Sequence, residues 1–162
     1  PGRPGDSFLV PPGFVHSIGA NNLVLEVQQR HIEPLLLRTG DNPDAPPRLD
    51  KQAALTAIKR ETRTNLRIPS EAGSTTHTRR IKLIPNCPYF QVEEIRLRDH
   101  IFLRTRTESF NLVAVTRGRA IVRWQNHGLK LGQGMLCCIP ACCGDYKVEA
   151  VDGYPTLLRI SL

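Results

Sequence analysis

A chain of 162 residues can form one medium domain or two small ones with a real core. Its 40% hydrophobic and 23% charged content reads as globular, with no apolar run near membrane-spanning length and no signal-peptide pattern, so no membrane partner is expected. The net charge of +7, from 22 Lys+Arg against 15 Asp+Glu, suits a nucleic acid, an acidic surface or a phosphorylated substrate; the arginines are scattered and no basic-aromatic interleaving appears, which argues against nucleic acid.

The chain opens on its most informative stretch, Gly5 to Gln29. Ser7 to Val10 is apolar and predicts a strand. Pro11-Pro12-Gly13 turns the chain, since proline fixes φ and glycine accepts positive φ. Phe14 to Ile18 predicts a short second strand carrying His16, and Asn21-Asn22 a second turn. Leu23 to Gln29 then alternates, with Leu23, Leu25 and Val27 on one face and Val24, Glu26 and Gln28 on the other. This pattern could bring His16 and Glu26 to one face of a small barrel. Residue 1 is proline and lies just before a strand, so an N-terminal part of a longer protein is expected ahead of it.

Arg30 to Pro47 breaks the β pattern with Pro34, Gly40, Pro43, Pro46 and Pro47. Asp50 can cap a helix from about Lys51 to Arg60, with Ala53, Ala54, Ala57 and Ile58 on a narrow apolar side. Glu61 to His77 is polar and reads as a surface connection. The expected organisation is therefore a β segment over 1–29, a linker or insert over 30–78, and a second β region over 79–162.

Strands are predicted near Arg80–Ile84, Tyr89–Leu97, Ile101–Arg106, Phe110–Thr116, Ala120–Trp124, Leu129–Leu131, Met135–Ile139, Tyr146–Ala150 and Thr156–Ile160. Gly118, Gly128, Gly132, Gly134, Gly144 and Gly153 are the expected corners. Many short strands with regular turns mean a sandwich or barrel. The cysteine count is odd, and Cys137, Cys138, Cys142 and Cys143 crowd into seven residues. With no secretion signal, the expected compartment is a reducing cytoplasm. Adjacent strand residues face opposite ways, and the spacing lacks the gap of a zinc knuckle, so buried thiols filling strand positions are expected rather than a metal site.

The spacing of Gly5, Pro11, Gly13 and His16 resembles the second cupin motif, and its continuation Val24-Leu25-Glu26-Val27-Gln28-Gln29 resembles class I mannose-6-phosphate isomerases, in their C-terminal portion. The resemblance implies an all-β cupin fold, a double-stranded β-helix jelly roll in two cupin-like portions. It implies a metal-dependent isomerisation of mannose 6-phosphate to fructose 6-phosphate. By position, His16 would be a ligand to a divalent metal, in this family zinc or a similar ion. Glu26 would be a proton-transfer group and Arg38 the catalytic arginine; further ligands would come from residues ahead of Pro1.

There is an internal repeat. GMLCCIPACCGD lies over GDSFLVPPGFVH, placing Cys142 opposite Gly13 and Asp145 opposite His16. Gly118 to Trp124 fits the start of the first cupin motif, whose two histidine positions fall on Trp124 and Asn126. The second copy is therefore expected to be a metal-free structural cupin.

Each of these residues has a plainer reading. His16 could be a histidine at a barrel mouth, hydrogen-bonded to backbone, and Glu26 a charge on a solvated strand face. The alternative function is a non-catalytic sugar-binding or structural cupin module; a basic nucleic-acid-binding barrel is a third.

Overall fold

The computed structural model describes residues 2–29, 35, 51–58, 66–68, 77–84 and 87–162. They divide into two compact units, one comprising Pro1–Gly2 and Asp6–Ile68, the other Arg3–Gly5 and Pro69–Leu162.

In the first unit, β1 (Ser7–Phe8) pairs antiparallel with β2 (Arg67–Ile68). The Leu9 N–H donates to the Leu66 carbonyl at 3.1 Å, and Arg67 Nε meets the Asp6 carboxylate at 2.8 Å. Helix α1 spans Lys51–Ala57 and buries Ala54. It stops short of the predicted Arg60: Ile58 is non-helical, while Asp50, Lys59 and Arg60 lie outside the described residues. The strands predicted over 14–18 and 23–29 do not form, and the predicted strand from Ser7 ends at Phe8. An alternating sequence becomes a strand only where a neighbour satisfies its backbone groups. Among the described residues β1 has β2 beside it, whereas residues 14–29 pair with no strand. Leu23 shows the consequence, being 99% exposed.

The second unit is an antiparallel jelly roll. Its strands are β3 (Arg79–Lys82), β4 (Gln91–Arg96), β5 (His100–Arg104), β6 (Asn111–Trp124), β7 (His127–Gly132), β8 (Leu136–Ile139) and β9 (Asp145–Ser161). Two long strands organise it. The first part of β6 runs between β8 and the end of β9, which continues into β4 and β3. The second part of β6 runs between β7 and the start of β9, which also carries β5. The two layers thus share β6 and β9. Their inward residues meet in one core of Ile95, Leu97, Leu103, Val113, Val115, Ala120, Val122, Leu131, Tyr146, Val148 and Leu157. The short strands read from the sequence form here because each has a ladder partner.

Two predicted breaks are absent. Strands expected to end before Gly118 and Gly153 run through them as β6 and β9. Both glycines have positive φ, at 75° and 64°, and the β6–β9 register shifts between Val115 and Ala120. A strand that bulges at a glycine can bend from one layer into the other without ending. At Gly118 a Cβ would lie 3.1 Å from the Cα of Pro155, which is fully buried. Gly118→Ala is therefore expected to cost about 1–3 kcal/mol through the positive φ alone. In urea unfolding this appears as a lower midpoint with an unchanged slope.

Candidate functional site

The repeated turn is geometrically real. In the first copy Gly5 has φ 89°, and the Phe14 N–H donates to the Pro11 carbonyl at 3.3 Å. In the second Gly134 has φ 81°, and the Cys143 N–H donates to the Pro140 carbonyl at 3.0 Å. Both copies close at equivalent positions, with Gly13 at φ 88° only in the first.

His16 follows that first turn and is exposed. Its Nδ1 lies 3.0 Å from the Phe14 carbonyl. A carbonyl oxygen can only accept, so Nδ1 carries the proton, and in the neutral ring Nε2 keeps its lone pair. Metal-binding histidines are commonly oriented by this kind of bond, and so are ordinary surface histidines. Glu26 is exposed and lies on irregular backbone, not on the strand face expected for it. Arg38 lies outside the described residues. Among the described residues, no three His, Cys, Asp or Glu side chains converge to hold a metal ion. The described residues by themselves therefore do not fit a zinc centre, which needs at least three protein ligands.

In the second copy, the positions equivalent to ligands serve the fold. Trp124 packs on the core, and its Nε1–H donates to the Cys143 carbonyl at 3.1 Å. It also stacks on His127 across the β6–β7 hairpin, with centroids 6.0 Å apart. Asn126 is exposed in that hairpin's turn, beside Gln125 at φ 50°. Asp145 is exposed and pairs with Arg104 at 3.3 Å. All five cysteines are free thiols. Cys137 faces the core and Cys138 faces out, as strand alternation requires. Burial pushes the Cys137 thiol above its ordinary pKa.

Sequence reasoning missed a polar group on the inner face of the second unit. Glu93 on β4 pairs across the ladder with Arg159 on β9, which pairs with Val113 on β6, which pairs with Cys137 on β8. Val113 and Cys137 belong to the core, so Glu93 and Arg159 face inward as well. Arg80 Nη2 donates to both Glu93 carboxylate oxygens, at 2.7 and 2.8 Å, and Arg159 Nη1 lies 3.1 Å from one of them. Beside them Asn111 Nδ2 donates to the Tyr146 hydroxyl at 2.9 Å and to the Arg104 carbonyl at 3.1 Å. The signal was present in the sequence: Glu93 stands in phase with Ile95, the inward residue of β4.

Burial raises the Tyr146 phenol above its ordinary pKa of 10.0, against the lowering effect of the Asn111 bond and of Arg159. Raising the folded pKa keeps the contribution to stability intact below pH about 10 and removes it as pH climbs further, because the unfolded phenol ionises first. Tyr146→Phe is expected to flatten the alkaline decline in stability above pH about 10, read from urea midpoints at neutral and alkaline pH. Cys137 adds a similar alkaline dependence that this variant leaves in place.

The fold and its turns define the chain as an all-β protein of the cupin jelly-roll type. No family model matches it. In sequence it resembles cupin-type mannose-6-phosphate isomerases. "Mannose-6-phosphate isomerase ManA" of Bacillus subtilis (strain 168) is 30% identical over an alignment of 155 residues that covers 91% of this chain and 47% of that protein. The chain thus spans about half the length of this curated relative. The solved structure of the Bacillus subtilis mannose 6-phosphate isomerase superposes with a TM-score of 0.53 at 18% identity, covering 72% of this chain and 35% of that one, and it shows the shared fold. A cupin superfamily protein from Desulfitobacterium hafniense gives a TM-score of 0.48 at 14% identity, covering 57% of this chain and 83% of that one. No helix among the described residues is long and apolar enough to cross a membrane.

Proposed function

We propose that this chain is part of a divalent-metal-dependent aldose–ketose isomerase that interconverts mannose 6-phosphate and fructose 6-phosphate. The observation that carries the reading is the 30% identity to a mannose-6-phosphate isomerase over 155 residues. On this reading residues 1–29 are the end of a metal-binding cupin, 30–78 an insert, and 79–162 a second, metal-free cupin. His16 offers Nε2 to the ion, proposed to be zinc, together with ligands from outside the described residues. Glu26 moves a proton between the first two carbons of the open-chain sugar, a task suited to a carboxylate that can approach the substrate from one side. Arg38 supplies the positive charge that steadies the reacting, phosphorylated substrate. The proposed setting is cytoplasmic, with no nucleic-acid or membrane partner.

A second reading, a sugar-binding or structural cupin without turnover, draws support from the sequence after Gln29. Arg30-His31-Ile32-Glu33 stands there in place of the Ser-Asp pair usual in the resembling enzymes. The test is a coupled assay for fructose 6-phosphate, using protein expressed from its whole reading frame. Turnover that stops with EDTA and returns with zinc supports the isomerase. No turnover with zinc, cobalt or manganese leaves the binding module as the answer.

A further inference from the structure

We propose that the inner face of the β3–β4–β9 layer holds a binding site for a phosphate group, built by Arg159, Arg80 and Lys82 around Glu93. Nothing in the isomerase reading assigns this face, and the proposal does not depend on that reading.

Two guanidinium groups bond one carboxylate there, and a third cation stands opposite it on the same face of the ladder. Arg80 and Arg159 both bond Glu93, and Lys82 is the ladder partner of Glu93 on β3. If Glu93 is counted once, the group has an excess of two positive charges, which matches a phosphate dianion. Arg159 supplies the independent sign that an acceptor is missing. Its side chain is 15% exposed, its Nη1 is engaged by Glu93, and its Nε is buried with no hydrogen-bond partner among the described residues. A buried N–H of a guanidinium is costly to leave unpaired, and an oxyanion seated beside it satisfies it with a charge-assisted bond. Glu93 has a positioning role, since it holds both guanidinium groups in one orientation. The place also suits a ligand. It lies at the β3 edge of the inner face, where the apolar row Ile95–Leu157–Val115 gives way to the polar row Gln91–Ser161–Asn111 and where Arg80 and Lys82 are open to solvent. Barrel mouths are recurrent small-molecule sites, and a few convergent polar groups fix the ligand.

Calorimetric titration of the full chain in EDTA tests the site apart from any metal-dependent turnover. Inorganic phosphate, mannose 6-phosphate and uncharged mannose are the probes. Saturable binding of phosphate or its ester, but not of mannose, is expected. Arg159→Gln is expected to weaken it at least about tenfold, the loss of one charged hydrogen bond. Arg80→Gln changes an exposed side chain and should weaken binding in the same direction. Arg119→Gln, on the surface where Arg119 pairs with Asp152, should leave it unchanged. Tighter binding of mannose 6-phosphate than of phosphate identifies a sugar phosphate as the ligand; equal binding identifies free phosphate. Circular dichroism checks folding, and if Arg159→Gln does not fold, Arg80→Gln decides. Absence of saturable binding overturns the proposal, as does wild-type affinity in the folded variants or an equal loss in Arg119→Gln.

Discussion

Leu157→Ala lowers the stability of the second unit by about 2–5 kcal/mol, the range for truncating a fully buried leucine. Leu157 is 0% exposed. It lies on β9 between Ile95 on β4 and Val115 on β6, both of them core residues, and these ladder neighbours are fixed by backbone hydrogen bonds. The space left by three carbons, one methine and two methyls, cannot close without moving strands that are paired on both sides, so the cavity term adds to the lost transfer energy. Against a total stability of about 5–15 kcal/mol, this is a large fraction. For a domain of roughly 100 residues each kcal/mol shifts Tm by about 4–8 °C, so a fall of about 8 °C or more is expected. Leu129→Ala, at a side chain 50% exposed on β7, is the control and should stay within about 0.5 kcal/mol. Equal effects from the two substitutions would mean that the packing inferred for β4, β6 and β9 is wrong.

The second unit was legible in the sequence because its strands are paired and rich in apolar residues. Short apolar runs such as Val113–Val115 and Leu136–Ile139 fall within strands of the structure. Pattern alone misleads at Gly118 and Gly153, where a glycine predicts the end of a strand. A positive-φ glycine serves equally well as a corner or as a bulge. Which of these it becomes depends on the strand beside it, here the Pro155 region of β9. No local reading of the sequence contains that partner.

The first unit was legible as turns and not as strands. Proline and glycine act on their own backbone, so the turn at Pro11 and its echo at Pro140 could be read directly. Leu23–Gln29 carries a strand pattern, but strand formation needs partners, and none pairs with it among the described residues. The inner polar group escaped for a related reason. Arg80, Glu93 and Arg159 are far apart in sequence and become neighbours only through the register of β3, β4 and β9.

On the proposed isomerase reading, His16→Ala, in protein expressed from its whole reading frame, is expected to lose bound zinc and isomerase activity together, whereas Glu26→Gln should keep the zinc and lose rate. The two residues are asked to do different chemistry, so their variants must fail differently. His16 has one nitrogen committed to the Phe14 carbonyl and one left with a lone pair. Removing a residue that only orients a ligand typically costs about 10–100-fold in metal affinity, so removing the ligand itself should cost at least about tenfold. Metal analysis after dialysis against a weak chelator reads that loss without reference to turnover. Glu26→Gln preserves size and polarity and removes only the capacity to accept a proton. A positioned general base contributes about 10² to 10⁴ in rate, so kcat should fall by that factor with little change in KM. Restoring activity in His16→Ala with excess zinc would agree with a weakened ligand set. Full zinc occupancy in His16→Ala at ordinary metal levels would remove His16 from the site and leave it the surface histidine that its exposed, backbone-bonded ring also describes.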